Sequence, residues 1–291
     1  MRELTEERCR LCGCALSQDR KLPRTGRPIT GGFIRACASC GSAQVSPLPT
    51  TEELDRLYVE NYYEEFRTSV GISGGNERVA PFLVERLETI ESHVGKGRLM
   101  DLGCAMGHFV AHAGASGWDA TGVEKSHWAA ETARKRYGVT VHEGELANAP
   151  YEPHSLDVVH ANHVIEHLTD PAETFRLVHG LLRPGGLFVI EVPAELDLAL
   201  ADQVFSRLHP ETTTPPEVTH HLYFFTERGL TTIARQAGFE EVRTRHVRHA
   251  AVTDSRLPLG SVIKRALYGA ERLLGQGTGI EMYARTNHSD Q

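Results

Sequence analysis

The sequence predicts an α/β fold: a doubly wound, mostly parallel seven-stranded sheet with helices on both faces, plus a small cysteine-rich ribbon at the N-terminus. Three observations predict it. Leu99-Met100-Asp101-Leu102-Gly103-Cys104-Ala105-Met106-Gly107-His108-Phe109 runs from apolar, strand-like residues through an acidic residue and two glycines into a helical pattern. Behind it, strand-like and helix-like segments alternate as far as residue 285. Ahead of it, five of the six cysteines fall in the first 40 residues.

The chain has 291 residues, 40% of them hydrophobic, which suffices for one large α/β domain and a small appendage. Its apolar runs are far shorter than a membrane span, and the N-terminus lacks the apolar core of a signal peptide, so no membrane partner and a cytoplasmic location are expected. The net charge of −7 argues against a general polyanion binder, although residues 1–40 carry eight Lys or Arg against four Asp or Glu.

The first 46 residues read as a zinc-ribbon-like module. Cys9-Arg-Leu-Cys12 and Cys37-Ala-Ser-Cys40 are two Cys-x-x-Cys knuckles, each able to aim two thiolates at one tetrahedral ion. Four thiolates would make Zn2+ structural, with no open position for chemistry. Disulfides fit poorly without a secretion signal. Cys14 is an alternative ligand to Cys12. Residues 47–97 read as a helical connector or cap: Pro47 and Pro49 break structure, a short helix starts at Thr51, and Val79, Phe82, Leu83, Leu87 and Ile90 recur with a helical period. Tyr58, Tyr62 and Tyr63 precede that helix.

Residues 98–291 form the main domain, with insertions near 194–224 and 250–278. Strands are expected at 99–102, 119–124, 139–143, 155–160, 187–192, 239–247 and 279–285, the last antiparallel. Helices are expected at 109–117, 128–137, 171–182, 227–237 and 258–274. Arg183-Pro-Gly-Gly186 is expected to turn the chain sharply before the fifth strand. Glycine at 103 permits close approach of a ligand to the backbone, and the helix that follows presents free N–H groups. Asp101 and Glu124 end the first two strands, where open α/β sheets bind ligands and an acidic side chain can accept both ribose hydroxyls of a nucleoside.

On these residues the chain resembles the class I S-adenosylmethionine-dependent methyltransferases, in the methyltransferase domain 23/11-like subgroup, whose sheet is Rossmann-like. Asp101-Leu-Gly103-Cys-Ala-Met-Gly107 is similar to the family's first motif, with Ala105 at its middle glycine. Ser155-Leu-Asp157-Val-Val, His163-Val-Ile-Glu-His167-Leu-Thr-Asp-Pro171 and Leu182-Arg-Pro-Gly-Gly-Leu187 resemble later motifs. The resemblance implies S-adenosylmethionine as cofactor, held by Asp101, Gly103, Cys104, Ala105, Gly107, Phe109, Glu124 and Lys125. It implies Glu145 and Leu146 beside adenine, Asn162 and His163 facing the methyl group, and Tyr63 folding over the cofactor.

The sulfonium carries its own activated methyl, so such a protein mainly positions and desolvates two reactants for in-line displacement, with a base where the nucleophile carries a proton. His220 and His221 are candidate bases, with His163 bordering the acceptor. The alternative for the first two is a histidine beside the helix cap Thr226. His163 and His167 with Glu166 between them suit core packing and hydrogen bonding better than a metal site. The expected partner is a small-molecule acceptor, a sugar or natural-product scaffold with an O, N or C nucleophile. The four-cysteine module resembles that of sugar C-methyltransferases of antibiotic biosynthesis, which carry a further C-terminal domain. The alternatives are an RNA nucleobase methyltransferase using the basic module on phosphates, disfavoured by the acidic remainder, and a nucleoside-binding module without catalysis. The insertions fit a lid or a homodimer contact.

Overall fold

The computed structural model describes residues 8–19, 22, 27–28, 31–50, 53–54, 79–196, 199–208, 218–249 and 258–287. Tyr58, Tyr62 and Tyr63, and with them the expected cover over the cofactor, lie outside the described residues.

The strands are β1 (Leu16–Asp19), β2 (Arg27–Pro28), β3 (Phe33–Cys37), β4 (Ala43–Ser46), β5 (Arg98–Leu102), β6 (Asp119–Glu124), β7 (Thr140–Glu143), β8 (Leu156–Asn162), β9 (Leu182–Pro193), β10 (Val218–Thr219), β11 (Tyr223–Phe224), β12 (Glu241–Val247) and β13 (Gly279–Arg285). The helices are α1 (Pro81–Val94), α2 (His108–Ala115), α3 (His127–Tyr137), α4 (Pro171–Leu181), α5 (Leu200–Leu208), α6 (Glu227–Gln236) and α7 (Pro258–Leu273). Local signals set the helix ends. Ser126, Asp170 and Thr226 cap α3, α4 and α6 by accepting a backbone N–H with their side chains, and Pro171 opens α4. Gly138 ends α3 in the left-handed conformation.

The main sheet has the order β12-β13-β9-β8-β5-β6-β7. β13 runs antiparallel to β9 and β12, while the other neighbouring pairs are parallel. This is the expected doubly wound sheet with an antiparallel last strand. The chain fills one side of β5 with β6 and β7, then returns to place β8 on the other, so the switch point lies between β5 and β8.

Both faces of the sheet are covered, which explains the near-continuous apolar strands. On one face Leu99, Val158 and Val189 pack with Leu87 and Ile90 of α1 and Phe109 and Ala113 of α2. On the other, Met100, Val159, Phe188 and Ile190 pack with Phe175 and Val178 of α4 and Leu230 and Ile233 of α6. These side chains are almost fully buried. The expected sharp turn at 183–186 is instead a bulge inside β9. Leu156 pairs with Leu182 and Val158 with Leu187, so two steps along β8 meet five along β9. Gly185, at φ 75, absorbs the extra residues.

The N-terminal module is an antiparallel sheet, β1-β3-β4-β11. Its fourth strand comes from residues 223–224, far along the chain, and β10 pairs parallel with β2. No described helix is long and apolar enough to cross a membrane.

Candidate active site

The glycine turn sits at the switch point. The N–H groups of Gly103 and Cys104 both donate to Val123 O, at 2.8 and 3.1 Å, tying the turn to the end of β6. Gly103 and Gly107 adopt φ 67 and 76. A Cβ on Gly103 would lie 2.5 Å from Val164, and one on Gly107 2.7 Å from Ala133. Both positions therefore require glycine for angle and for space. Ala105 is also left-handed, at φ 47, and its N–H donates to Glu124 Oε2 at 2.9 Å. Gly107 caps α2 without a side-chain acceptor, leaving the first-turn N–H groups free of a capping side chain.

Glu124 is buried, and its other oxygen accepts the Ser126 N–H at 2.8 Å. Asp101 is buried and paired with His160 Nδ1 at 2.7 Å. Cys104 packs beneath the turn, where a Cβ on Gly122 would meet its sulfur at 2.4 Å, and burial raises its thiol pKa, with Asp101 and Glu124 adding to the shift. Phe109 lies in the core against the His160 ring, with centroids 4.1 Å apart. The Cys104 thiol faces the turn's own backbone, 3.8 Å from Ala105 O. Lys125 pairs with Glu145 at 2.9 Å on the surface, and Leu146 is buried in the short 3-10 turn that follows.

A buried charge network beneath the switch point joins the expected site residues Asp101 and Asn162 to Arg86, His160, Glu191, Glu281 and His249, which were not expected. Arg86 of α1, 2% exposed, donates to Glu281 Oε1 from Nε at 3.0 Å and from Nη2 at 2.9 Å. It also donates to Asn162 Oδ1 at 2.7 Å and to Glu191, and its Nη1 stands 3.4 Å from His160 Nε2. Asp101, His160, Arg86 and Asn162 thus form one chain from β5 to β8. His249 Nε2 reaches Glu191 at 2.9 Å. Burial would raise the Glu191 carboxyl, but His163, His249 and Arg86 hold it well below the usual carboxylate range. The available signal was a charged residue within an apolar pattern: Arg86 on the face of Leu83, Leu87 and Ile90, and Glu191 inside Leu187–Val192.

The candidate histidines gather beyond β8. His163 is left-handed at φ 54, and its N–H donates to Glu191 O at 2.9 Å. Its Nδ1 stands 3.3 Å from Glu166 Oε1 and its Nε2 3.6 Å from Glu191 Oε1. Partial desolvation opposes its charge, with 42% of the side chain still exposed, while the carboxylates of Glu166 and Glu191 favour the charged form and push it up to about 10. His167 is buried more completely and is pushed down to about 4. His221 Nδ1 lies 2.6 Å from Glu195 Oε2, and the Glu195 carboxylate outweighs burial and raises the imidazole. His167 and His221 meet edge to face at 4.8 Å, whereas His220 contributes its carbonyl to His167 Nδ1 at 3.3 Å. Ligand atoms of Glu166, His167 and His221 lie within 4.8 Å of one another, close enough to share a cation, but the protonated His163 already places positive charge on Glu166. Residues either side of Glu195, Ala194 and Leu196, line a cavity of about 400 Å³ with Phe225, Thr226, Arg228 and His246.

The cysteines of the two knuckles converge. Cys9 Sγ lies 3.7 Å from Cys40 Sγ, and Cys12 Sγ 3.5 Å from Cys37 Sγ, with all four sulfurs within 4.8 Å. Tetrahedral Zn2+ with Zn–S of about 2.3 Å has sulfurs about 3.8 Å apart, so the four thiols fit one ion. Cys14 is exposed and stands outside this group. The knuckles repeat one backbone pattern: Gly13 N donates to Cys9 O and Gly41 N to Cys37 O, each at 2.8 Å.

The methyltransferase domain family matches residues 75–244, more than half of the chain. A ubiquinone biosynthesis O-methyltransferase from Paraburkholderia phymatum is 34% identical over 110 residues, covering 35% of this chain and 47% of that protein. A probable S-adenosylmethionine-dependent methyltransferase from Mycolicibacterium smegmatis is 34% identical over 119 residues, covering 40% and 42%. The chain thus spans less than half the length of either relative. Among solved structures, an S-adenosylmethionine-dependent methyltransferase from Thermotoga maritima, described as a possible histamine N-methyltransferase, superposes with a TM-score of 0.50 at 19% identity, covering 78% of this chain and 96% of that one. That likeness concerns the fold alone. With the matched residues spanning the glycine turn, the switch point and the histidine cluster, the chain belongs to the methyltransferase domain family of the class I, S-adenosylmethionine-dependent type.

Proposed function

We propose that the protein transfers a methyl group from S-adenosylmethionine to a small-molecule acceptor by in-line displacement, with His221 as general base. The observation that supports this reading is the His221–Glu195 pair, 2.6 Å apart, in the histidine cluster beyond the end of β8.

The cofactor brings an activated methyl on a sulfonium. The backbone of Gly103–Gly107 admits its methionine end, Asp101 stands near the amino group, Glu124 receives the ribose hydroxyls, and Glu145 and Leu146 flank adenine. Asn162 and His163 end β8, on the acceptor side of the switch point. Glu195, by taking the Nδ1–H of His221, leaves Nε2 as the free acceptor for the nucleophile's proton. His163, held protonated, cannot accept a proton and instead offsets negative charge developing on an acceptor. His167, held neutral beside His221, packs. The O-methyltransferase named among the relatives supports an oxygen nucleophile as the first to test. In this reading Zn2+ on Cys9, Cys12, Cys37 and Cys40 is structural.

Incubation with methyl-labelled S-adenosylmethionine against a metabolite pool and against total RNA tests the proposal. Label is expected in small molecules. Label in RNA bases would replace this reading with the nucleic-acid one, and no transfer to either pool would contradict both.

A further inference from the structure

The cysteine cluster and the His221–Glu195 pair are joined by a short run of hydrogen bonds. β4 begins three residues after Cys40 of the second knuckle and carries β11 on its edge, pairing Ala43 with Phe224 and Gln44 with Tyr223. Val45 N donates to Leu222 O at 2.9 Å. Thr226 Oγ1 donates to the carbonyl of Cys40 at 2.7 Å, and Thr226 N donates to Ser42 Oγ at 3.0 Å. The first knuckle joins in through Arg10 N, which donates to Gln44 Oε1 at 2.9 Å.

The other edge of the same segment is fastened to the loop after β8. Leu222 N donates to Glu166 O at 2.8 Å, and Tyr223 OH donates to Thr169 O at 3.0 Å. Leu222, Tyr223 and Phe225 belong to the large core cluster that holds Cys9, Cys37 and Cys40 and also takes in Met100, Leu102 and Val123 of the main sheet. β11 is two residues long, too short to persist as a strand without its neighbour. The donor side is built differently, because the bonds of Gly103, Cys104, Ala105 and Glu124 described above all close on β6 or the turn itself.

We infer that the metal-loaded cysteine module is a positioning element of the acceptor side. By fixing the second knuckle, the ion holds residues 219–226 against Glu166 and so sets His221. Thr226 and Ser42 are the link, and the hydrogen bonds of the donor-side turn close without it. This rests on the readings of the four thiols as a zinc site and of His221 as the base. Small thiolate sites fold on binding their ion, so removing it loosens the knuckles first. The strand that leans on them follows.

The test uses the full chain, loaded with zinc to one ion per molecule and then stripped with a chelator. Hydrogen exchange of peptides covering 219–226 and 98–124 is read alongside S-adenosylmethionine affinity by calorimetry. Exchange at 219–226 is expected to speed up about tenfold or more on stripping, with peptides at 98–124 and cofactor affinity unchanged within about threefold. Unchanged exchange at 219–226 would overturn the inference. So would equal loosening of 98–124, which would make the ion a staple for the whole molecule, and so would failure to bind zinc. A second variant leaves every thiol in place. Ser42→Ala is expected to keep one zinc per molecule and cofactor affinity while speeding exchange at 222–226 about fivefold, through loss of the two hydrogen bonds between the Ser42 hydroxyl and Thr226. Wild-type exchange in this variant would contradict the link. Loss of transfer in His221→Ala tests the base reading separately.

Discussion

At the scale of single residues, two kinds of position define the site. One is backbone held in left-handed angles. Among the described residues three non-glycines have positive φ, and two of them, Ala105 and His163, lie just beyond the strands that flank the switch point. A left-handed alanine costs about 1–2 kcal/mol, and glycine's added unfolded-state freedom returns about 0.5–1 of that, so Ala105→Gly should leave stability unchanged or raise it by up to about 1.5 kcal/mol in urea unfolding. An ordinary Ala→Gly change would lower it. Gly103→Ala should do the reverse, because its Cβ would meet Val164 at 2.5 Å. The other kind is the histidine with an assigned partner. Glu195 raises His221, so transfer should increase with pH along a limb lying above the ordinary imidazole pKa of about 6.5. Glu195→Gln removes that cause and leaves burial, so the limb should move to lower pH while its plateau falls. His221→Ala should reduce turnover by about 10²–10⁴-fold. Rates measured from pH 5 to 9 check all three.

At the scale of elements, what was legible in the sequence was local. The run 99–109 announces a strand, turn and helix because its angles, apolar residues and glycines are neighbours. The same holds for the Thr226 cap and for the two cysteine knuckles. What was illegible depends on elements far apart in the chain. Arg86 meets Glu191 and Glu281 across 105 and 195 residues, and Ser42 meets Thr226 across 184. A helix pattern can accommodate an arginine on its apolar face without revealing which carboxylates it will find. The turn at 183–186 became a bulge for a related reason, since β8 continues alongside and keeps pairing through it. Arg86→Met should lower stability by about 3–5 kcal/mol in urea unfolding, because Glu191 and Glu281 would keep their charge without the guanidinium. A cost below about 1 kcal/mol would show that the network is solvated.

At the scale of the whole molecule, charge placement sets the pH range of stability. His163, raised to about 10, contributes stability that is fully present below about pH 6.5 and is lost as pH climbs through 10. His167, lowered to about 4, contributes stability present above about pH 6.5 and lost as pH falls through 4. Glu191, lowered by its cationic neighbours, adds to the acid-side loss. The melting temperature should therefore be highest near neutral pH and fall on both sides. In the proposed reading the two halves of the site divide the labour: the glycine turn, Asp101 and Glu124 of the main sheet would serve the donor, and the 219–226 segment, hydrogen-bonded to the cysteine module, would serve the acceptor.

That division is the central claim, and calorimetric titration of S-adenosylmethionine into three folded proteins tests it most directly. The wild type should bind, His221→Ala should bind within about twofold of it, and Glu124→Ala should bind at least about tenfold more weakly through loss of charge-assisted hydrogen bonds. Absence of binding to the folded wild type, or equal binding by Glu124→Ala, would contradict the account.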